Sequence, residues 1–587
     1  MPRNYIGLSC SCHDPALAIV NSNGEVVFAE AAERYLQNKR AWYSPPDDLI
    51  RMSELLNTYC EKDADLILAS TWQPSTLRKA EFFYFNSLFQ NPVIQFLLGL
   101  LSSETPLPAP FSQLLISGTA KNLGLNTEFV FLLKNQINPQ INSRLQVTRK
   151  AFDHHLTHAA AACYSSPFEE ALCVIADGYG EGSSTAIFHY DRGTLKPIPR
   201  IKPSIPSLGI FFAKLCNACG FDSIKGEEWK VMGLAPYGKL NQTLYDSLKG
   251  LMEVKDGGFI YKNKHLIQQY ESTLNHYILK RWDNLYDAAD LAYTGQLVFS
   301  ELMTDLLKSA YEICPSDRLV LSGGCALNSA FNGQVLELVP DFKSCYVFSA
   351  PGDDGNAVGA ALLAYYSDRP PQNKKPAKLQ SPYLGSTISM KTLSNLEQYS
   401  RLKKVPLECG ETVSQKAAQF LAEGKIIGWM QGRAEFGPRA LGNRSILADP
   451  RLPDIKLRLN IEVKYREEFR PFAPAILHEY GAEYFENYQE TPYMERALRF
   501  HPQAAEKVPG VVHVDGTGRL QTVKRDWNPR FYDLISAFFQ LTGIPLILNT
   551  SFNVMGKPIV HSVEDAIAVF MTTGMDVLII EDRIYLK

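Results

Sequence analysis

The chain opens on short apolar runs separated by polar turns. Residues 5–9 (YIGLS) read as a buried strand, the polar loop CSCHDP follows, and LAIV reads as a second strand. The turn NSNG then leads to a third, VVFAEA. The same succession begins again at residues 171–176 (ALCVIA), with a loop DGYGEGSS, a strand TAIFHY, a turn DRG and a strand around Leu195. Two strand–loop–strand–turn–strand units, each opening on a loop that carries an aspartate, predict two similar α/β halves facing each other. Two unrelated hairpins would give the same local pattern. Large α/β folds collect ligands at the carboxyl ends of strands, which makes the loops at His13–Asp14 and Asp177–Gly178 candidate sites.

The pattern breaks at residues 367–382 (SDRPPQNKKPAKLQSP), where proline and lysine replace apolar residues. Such composition predicts a stiff, solvated linker, dividing the chain into residues 1–366 and 383–587. Within the first part, the stretch from Phe82 to Phe111 is rich in Phe and Leu but interrupted by polar residues and prolines. It predicts a helical insertion, about 72–150, that packs on a neighbour or lines a substrate pocket. Its greasiest run, Val93 to Leu101, is half of the roughly 20 residues that span a bilayer, so no membrane contact is expected.

Composition narrows the class. Lys plus Arg number 59 against 62 Asp plus Glu, a net charge of −3, which argues against a nucleic-acid-coating protein. Hydrophobic residues at 45% and charged residues at 21% exclude wholesale disorder. The 11 cysteines are scattered, unlike a small disulfide scaffold, and MPRNYIGLSCSCHDP carries no signal-peptide pattern. A soluble cytoplasmic enzyme is the expectation.

Several short patterns carry chemistry. DHHLTHAAAACYSS holds His154 and His158 at i and i+4, on one face of a predicted helix, as a divalent metal requires; a packing pair has the same spacing. Asp177, ending an apolar strand, and Asp353, in SAPGDDGNAVGAAL, would each supply an oxygen ligand or cap a helix. Two imidazoles and two carboxylates suit iron(II), manganese or zinc better than copper(I). LVLSGGCALNSAFN passes from a strand through Gly323 and Gly324 into a helix, where a backbone without side chains lets a ligand approach and Asn328 lies within reach. GEEWKVMGLAPYGK, with Glu228, Lys230 and Gly233, reads most simply as a solvated loop.

The C-terminal part is basic in one place. Between Gln431 and Arg470 there are nine lysines and arginines (Arg433, Arg439, Arg444, Arg451, Lys456, Arg458, Lys464, Arg466, Arg470) against six acids. They alternate with Gly, Pro, Phe and Ala, which predicts a partly buried oxyanion pocket, since arginine forks match phosphate oxygens. Downstream, LILNTSFNVMGKPIV ends a buried strand on Asn549, Thr550 and Ser551.

These blocks carry a family resemblance. HDPALAIV, ERYLQNKRAW, DHHLTHA, DGYGEGSS, WKVMGLAPYG, SGGCALN and GDDGNAVGAAL resemble the N-terminal domain of the carbamoyltransferases of nodulation and antibiotic biosynthesis, the NodU/CmcH type. GRAEFGPRALGNRSILADPR, FRPFAPAIL and NTSFNVMGKPIV are similar to that family's C-terminal domain. The resemblance implies an α/β N-terminal domain (1–366) of the actin-like ATPase (ASKHA) class, related to the threonylcarbamoyl-transfer enzymes of tRNA modification. It implies an α/β YrdC-like C-terminal domain (383–587). The latter would make carbamoyl-adenylate from carbamoyl phosphate and ATP, with Mg2+ on the nucleotide. The former would transfer the carbamoyl group to a hydroxyl or amine of a small natural-product acceptor.

Carried onto this sequence, the resemblance assigns His154, His158, Asp177 and Asp353 to a metal, typically Fe2+, and His13 to the general base. Lys39 would contact acceptor or adenylate. Gly178, Gly180, Lys230, Gly323, Gly324 and Asn328 would face the nucleotide or adenylate. Arg439, Lys464, Arg470, Arg519, Asn549 and Ser551 would bind carbamoyl phosphate and ATP. Lys557, where the family often has an acid, and Ser562, where it often has proline, depart from the pattern without touching these residues. Two alternatives share the scaffold. A hydrogenase-maturation enzyme would carry paired Cys-x-x-Cys modules, whereas only Cys216–Cys219 has that spacing here. A non-catalytic nucleotide-binding regulator would be expected to lose His13 or the Arg439 cluster. Acceptor specificity is expected from residues 72–150 and 240–290, where Asp256, Asp283, Asp287 and Asp290 would suit a cationic acceptor or simply face solvent. The apolar stretch leaves room for a homodimer.

Overall fold

The apolar runs at the start of the chain pair as strands. The computed structural model describes residues 2–61, 64–73, 75–76, 147–199, 204, 206–280, 282–370, 379–400 and 402–587. The stretch Phe82–Phe111 and most of the expected insertion lie outside the described residues. Strands β1 (Arg3–Ser9), β2 (Ala16–Val20), β3 (Val26–Ala31), β4 (Asp65–Thr71) and β5 (Val147–Phe152) form a sheet in the order β3-β2-β1-β4-β5. Strand β2 runs antiparallel to β1 and β3, whereas β4 and β5 run parallel to β1.

The second sheet repeats this plan. It contains β6 (Glu170–Gly180), β7 (Ser183–Asp191) and β8 (Thr194–Pro197), then, beyond a two-stranded ribbon of β9 (Met252–Lys255) and β10 (Gly258–Tyr261), β11 (Arg318–Ser322) and β12 (Ser344–Val347). Its order is β8-β7-β6-β11-β12, with β7 antiparallel to both neighbours and β11 and β12 parallel to β6. Order and direction match the first sheet strand for strand, so the repeated pattern in the sequence is a repeated topology. One detail differs from the sequence expectation. Residues DGYG do not form a loop; they prolong β6 to Gly180, with a register irregularity between Ala176 and Gly180. Such an irregularity bends a strand and re-aims its side chains.

Two helices lie between these sheets, His154–Ser165 and Asn356–Asp368, the latter running two residues into the segment read as linker. Both are rich in alanine, and they cross closely. A Cβ on Gly359 would stand 1.9 Å from the Thr157 carbonyl oxygen, so only glycine allows this approach.

The C-terminal part builds a nine-stranded mixed sheet from β13 (Lys403–Val405), β14 (Ile427–Met430), β15 (Arg444–Ala448), β16 (Ala473–Leu477), β17 (Arg496–Arg499), β18 (Thr517–Val523), β19 (Leu546–Ser551), β20 (Val577–Ile580) and β21 (Arg583–Leu586). Its order is β13-β21-β20-β14-β15-β19-β16-β18-β17. Trp429, Phe531, Phe538 and Phe570 fill its core. Polar contacts fasten it to the N-terminal part: Arg34 Nη2 donates to the Gly437 carbonyl at 2.8 Å in a buried contact, and Lys230 pairs with part-buried Glu467 at 2.8 Å. Among the described residues, no helix is long and apolar enough to cross a membrane.

Candidate active site

Asp153 caps the helix His154–Ser165 by accepting from the Leu156 N–H at 2.9 Å. That start puts His154 and His158 on one face, both almost fully buried. Their Nε2 atoms converge on two carboxylates. His154 Nε2 lies 3.2 Å from Asp177 Oδ2 and 3.5 Å from Asp353 Oδ1; His158 Nε2 lies 3.7 and 3.4 Å from the same atoms. The four ligand atoms all fall within 4.8 Å of one another.

Asp177 sits at the β6 irregularity, and its second oxygen accepts the Gly324 N–H at 2.8 Å. Gly323 makes that turn at φ +90°, beside the Ala176 backbone, where a side chain would be strained and would clash. Asp353 opens a 3-10 turn after Gly352. Neither aspartate caps a helix. Trp72 stacks on the His154 ring at 4.4 Å. Burial alone would raise the Asp177 and Asp353 carboxyls, but the two histidines hold both below the usual carboxylate range. Two imidazole nitrogens and two ionised oxygens, convergent and largely buried, fit a divalent first-row metal.

His13, in the loop between β1 and β2, stands beside this cluster, its Nδ1 4.0 Å from Asp353 Oδ2. The same Nδ1 lies 2.9 Å from Asp14 Oδ2 and 3.0 Å from Arg40 Nη2, and Arg40 also donates to Asp14 at 2.9 Å. Asp14 and Arg40 both have left-handed backbones, φ 51° and 59°. Such conformations persist only where surrounding contacts impose them. Burial would raise the Asp14 carboxyl, yet Arg40 and His13 hold it far below its ordinary value. Sequence reasoning missed this Asp14–Arg40 pair because no local spacing links the two positions. Lys39 is half-exposed on the same wall, 3.9 Å from Glu33.

The remaining N-terminal candidates divide. Gly178 and Gly324 face the open cleft, as does Asn328. Asn328 also caps the helix Ser329–Leu338 through the Phe331 N–H at 3.1 Å. Gly180 instead abuts the His154 ring, leaving room for a metal-ligand candidate. Lys230 is not in a solvated loop. The helix Glu228–Leu234 buries it, paired with Glu227 at 2.7 Å and Glu467 at 2.8 Å.

Across the cleft is a cluster of cations. Lys464 ends a π-helical turn, Leu459–Lys464, and is 2% exposed. Among the described residues its ammonium meets only neutral oxygens: the Ser551 carbonyl, Ser551 Oγ at 3.2 Å, Asn553 Oδ1 at 2.7 Å and the Asn553 carbonyl at 3.1 Å. Burial, with Arg466 and Arg470 nearby, pushes it well below the usual lysine range. Burial with Arg439 and Arg470 does the same to Arg519, whose Nε is buried without a partner among the described residues. Burial lowers Arg439 to about 10. Arg470 stacks over Trp229 at 3.9 Å and pairs with Glu467 at 3.0 Å. Asn549 donates to Gln521 Oε1 at 2.8 Å, leaving its own Oδ1 buried and unpaired among the described residues. Two other members of the basic run serve the scaffold. Arg444 is buried on backbone carbonyls, and Arg451 pairs with Asp449.

One cleft of about 1140 Å³ joins the two clusters, lined by His13, Asp177 and Asp353 on one side and Arg439, Lys464 and Arg519 on the other. Residues 4–362 match the family model for the carbamoyltransferase N-terminus, and residues 418–587 that for the carbamoyltransferase C-terminus. The chain belongs to the carbamoyltransferase family. Its relatives in the family include the nodulation protein NolNO of Sinorhizobium fredii, 35% identical over 82% of this chain and 70% of that protein. An uncharacterized protein of Synechocystis is 31% identical over 100% of this chain and 97% of its own length. Among solved structures, full-length HypF in its phosphate- and nucleotide-bound form aligns with 62% of this carbamoyltransferase-family chain and 47% of its own, at 12% identity and a TM-score of 0.35.

Proposed function

We propose that the protein is an ATP-dependent carbamoyltransferase that makes carbamoyl-adenylate at the cation cluster and transfers its carbamoyl group to a hydroxyl, or an amine, of a small acceptor beside His13. The supporting observation is the single cleft shared by a cation cluster short of counter-charge and a base-and-carboxylate cluster. Arg439, Lys464, Arg470 and Arg519 bind carbamoyl phosphate and the ATP phosphates, with Asn549 and Ser551 supplying short polar groups. Water takes the phosphoryl group of carbamoyl phosphate, releasing inorganic phosphate, and the resulting carbamate oxygen displaces pyrophosphate from the α-phosphorus of ATP; Mg2+ on the nucleotide would offset the charge of the leaving pyrophosphate. Guanidinium and ammonium groups already desolvated are strong stabilisers of charge on the transferring phosphoryl group.

In the second step the acceptor oxygen attacks the carbamoyl carbon, and AMP leaves. In the tautomer that carries its proton on Nδ1, toward Asp14, His13 would keep its Nε2 lone pair for the acceptor's proton, and Arg40 pins Asp14 in place. His154, His158, Asp177 and Asp353 would hold iron(II) or another divalent metal, which would supply positive charge to offset the phosphate of the adenylate. Gly178, Gly324 and Asn328 lie along the wall where the adenylate would rest, and Lys39 reaches the acceptor side.

The test is carbamoyl-phosphate-dependent release of pyrophosphate from ATP by the purified protein with iron(II) and Mg2+. Release is expected without any acceptor. His13→Asn should keep this release and lose carbamoyl transfer by about 10²-fold or more, the usual worth of a general base. Arg439→Ala should stop the release and leave the metal content unchanged. Loss of both half-reactions in His13→Asn would contradict the division of labour.

A further inference from the structure

The helix Asn356–Asp368 begins beside the four convergent donors. Its first residue, Asn356, is fully buried, and its amide nitrogen stands 3.2 Å from His158 Nε2, the ring nitrogen aimed at Asp177 and Asp353. The amide oxygen of the same side chain is buried and accepts no hydrogen bond among the described residues. The close crossing at Gly359, one turn further along, holds this end of the helix against the histidine helix.

A cation among the four donors takes the His158 Nε2 lone pair. The amide N–H then loses its acceptor, while the amide oxygen already lacks a donor, so both ends of a buried side chain would go unpaired. Such a group is costly. Turning the amide about its last torsion exchanges the two nearly identical ends and puts the oxygen where the nitrogen stands. The spacing suits a ligand there. Two donors about 2.1 Å from a metal and at right angles are about 3.0 Å apart, close to the 3.2 Å observed. An amide carbonyl is also a hard oxygen donor of the kind iron(II) and manganese accept.

We propose that Asn356 is a fifth protein ligand, its amide oxygen completing a set of two imidazole nitrogens and three oxygens. This rests on the reading of the four-residue cluster as a metal centre. It predicts a centre with one position left for a substrate oxygen and a preference for metals that take five or six ligands over those content with four.

The test uses the full chain, stripped of metal and titrated with cobalt(II), whose visible d–d absorption is weak with five or six ligands and intense with four. The wild type should give the weak spectrum. Asn356→Ala should bind cobalt about 10- to 100-fold more weakly, the usual cost of losing a supporting group at a metal site, and its spectrum should intensify. Asn356→Asp, which keeps an oxygen at the same place, should restore affinity and the weak spectrum. Unchanged affinity and spectrum in Asn356→Ala, with matched thermal unfolding, would overturn the proposal while leaving the metal centre intact. A wild type that takes up no cobalt would overturn the metal centre itself.

Discussion

Glu467 stands between two cations that come from different parts of the chain, Lys230 at 2.8 Å and Arg470 at 3.0 Å. Burial would raise its carboxyl, but the Lys230 hydrogen bond and ammonium, with Arg470, pull it down to about 2 from an ordinary 4.5. A carboxyl depressed by folding stabilises the native state fully above its unfolded value, and that contribution fades as pH falls toward the folded one. The gap in urea midpoint between wild type and Glu467→Gln should therefore be widest at neutral pH and close between pH 4.5 and 2. A gap independent of pH would sink the idea. At this scale the sequence is legible where spacing and chemistry coincide. His154 and His158 share a helix face, and Asp177 and Asp353 follow apolar strands, so their types and places already suggest a centre. Arg40 and Asn356 are not legible in that way. Their partners, Asp14 and His158, are brought to them by tertiary packing across 26 and 198 residues.

Among elements, the crossing of the helices His154–Ser165 and Asn356–Asp368 depends on Gly359. Alanine there gains helix propensity, about 1 kcal/mol over glycine. Its methyl, however, would press on the Thr157 backbone, which cannot rotate away. Overpacking of this kind costs about 1–3 kcal/mol, so Gly359→Ala should lower the denaturant midpoint; an unchanged or higher midpoint would show that the helices can part freely. The repeated strand pattern of the two halves is legible because strands with alternating or continuous apolar runs and glycine-rich turns advertise themselves. The prolonged β6 is not. DGYG is turn-rich in composition, and pairing with β7 overrides that local preference. The helix around Lys230 is hidden for a similar reason: its charges read as solvated until Glu227 and Glu467 enclose them.

For the molecule as a whole, the two sheets with matching order place His13, in the loop after β1, and Asp177, near the end of β6, at equivalent ends of the first strand of each half. The C-terminal sheet closes the cleft with cations. The proline-rich break and the local charge set a basic C-terminal part apart in the sequence, but the joining of the two clusters in one space is not legible there, since it depends on how the sheets dock. On the proposed reaction, that shared space would change the kinetics of an intermediate made on one wall and consumed at the other. One molecule confined to 1140 Å³ is at a concentration of about 1.5 M, far above any reagent added at millimolar levels. With acceptor present, millimolar hydroxylamine should divert almost none of the carbamoyl group into hydroxyurea. A yield rising in proportion to added hydroxylamine would mean that the intermediate leaves. The cleft is thus a compartment, and what it sets is the odds between the acceptor and every other nucleophile, water first among them.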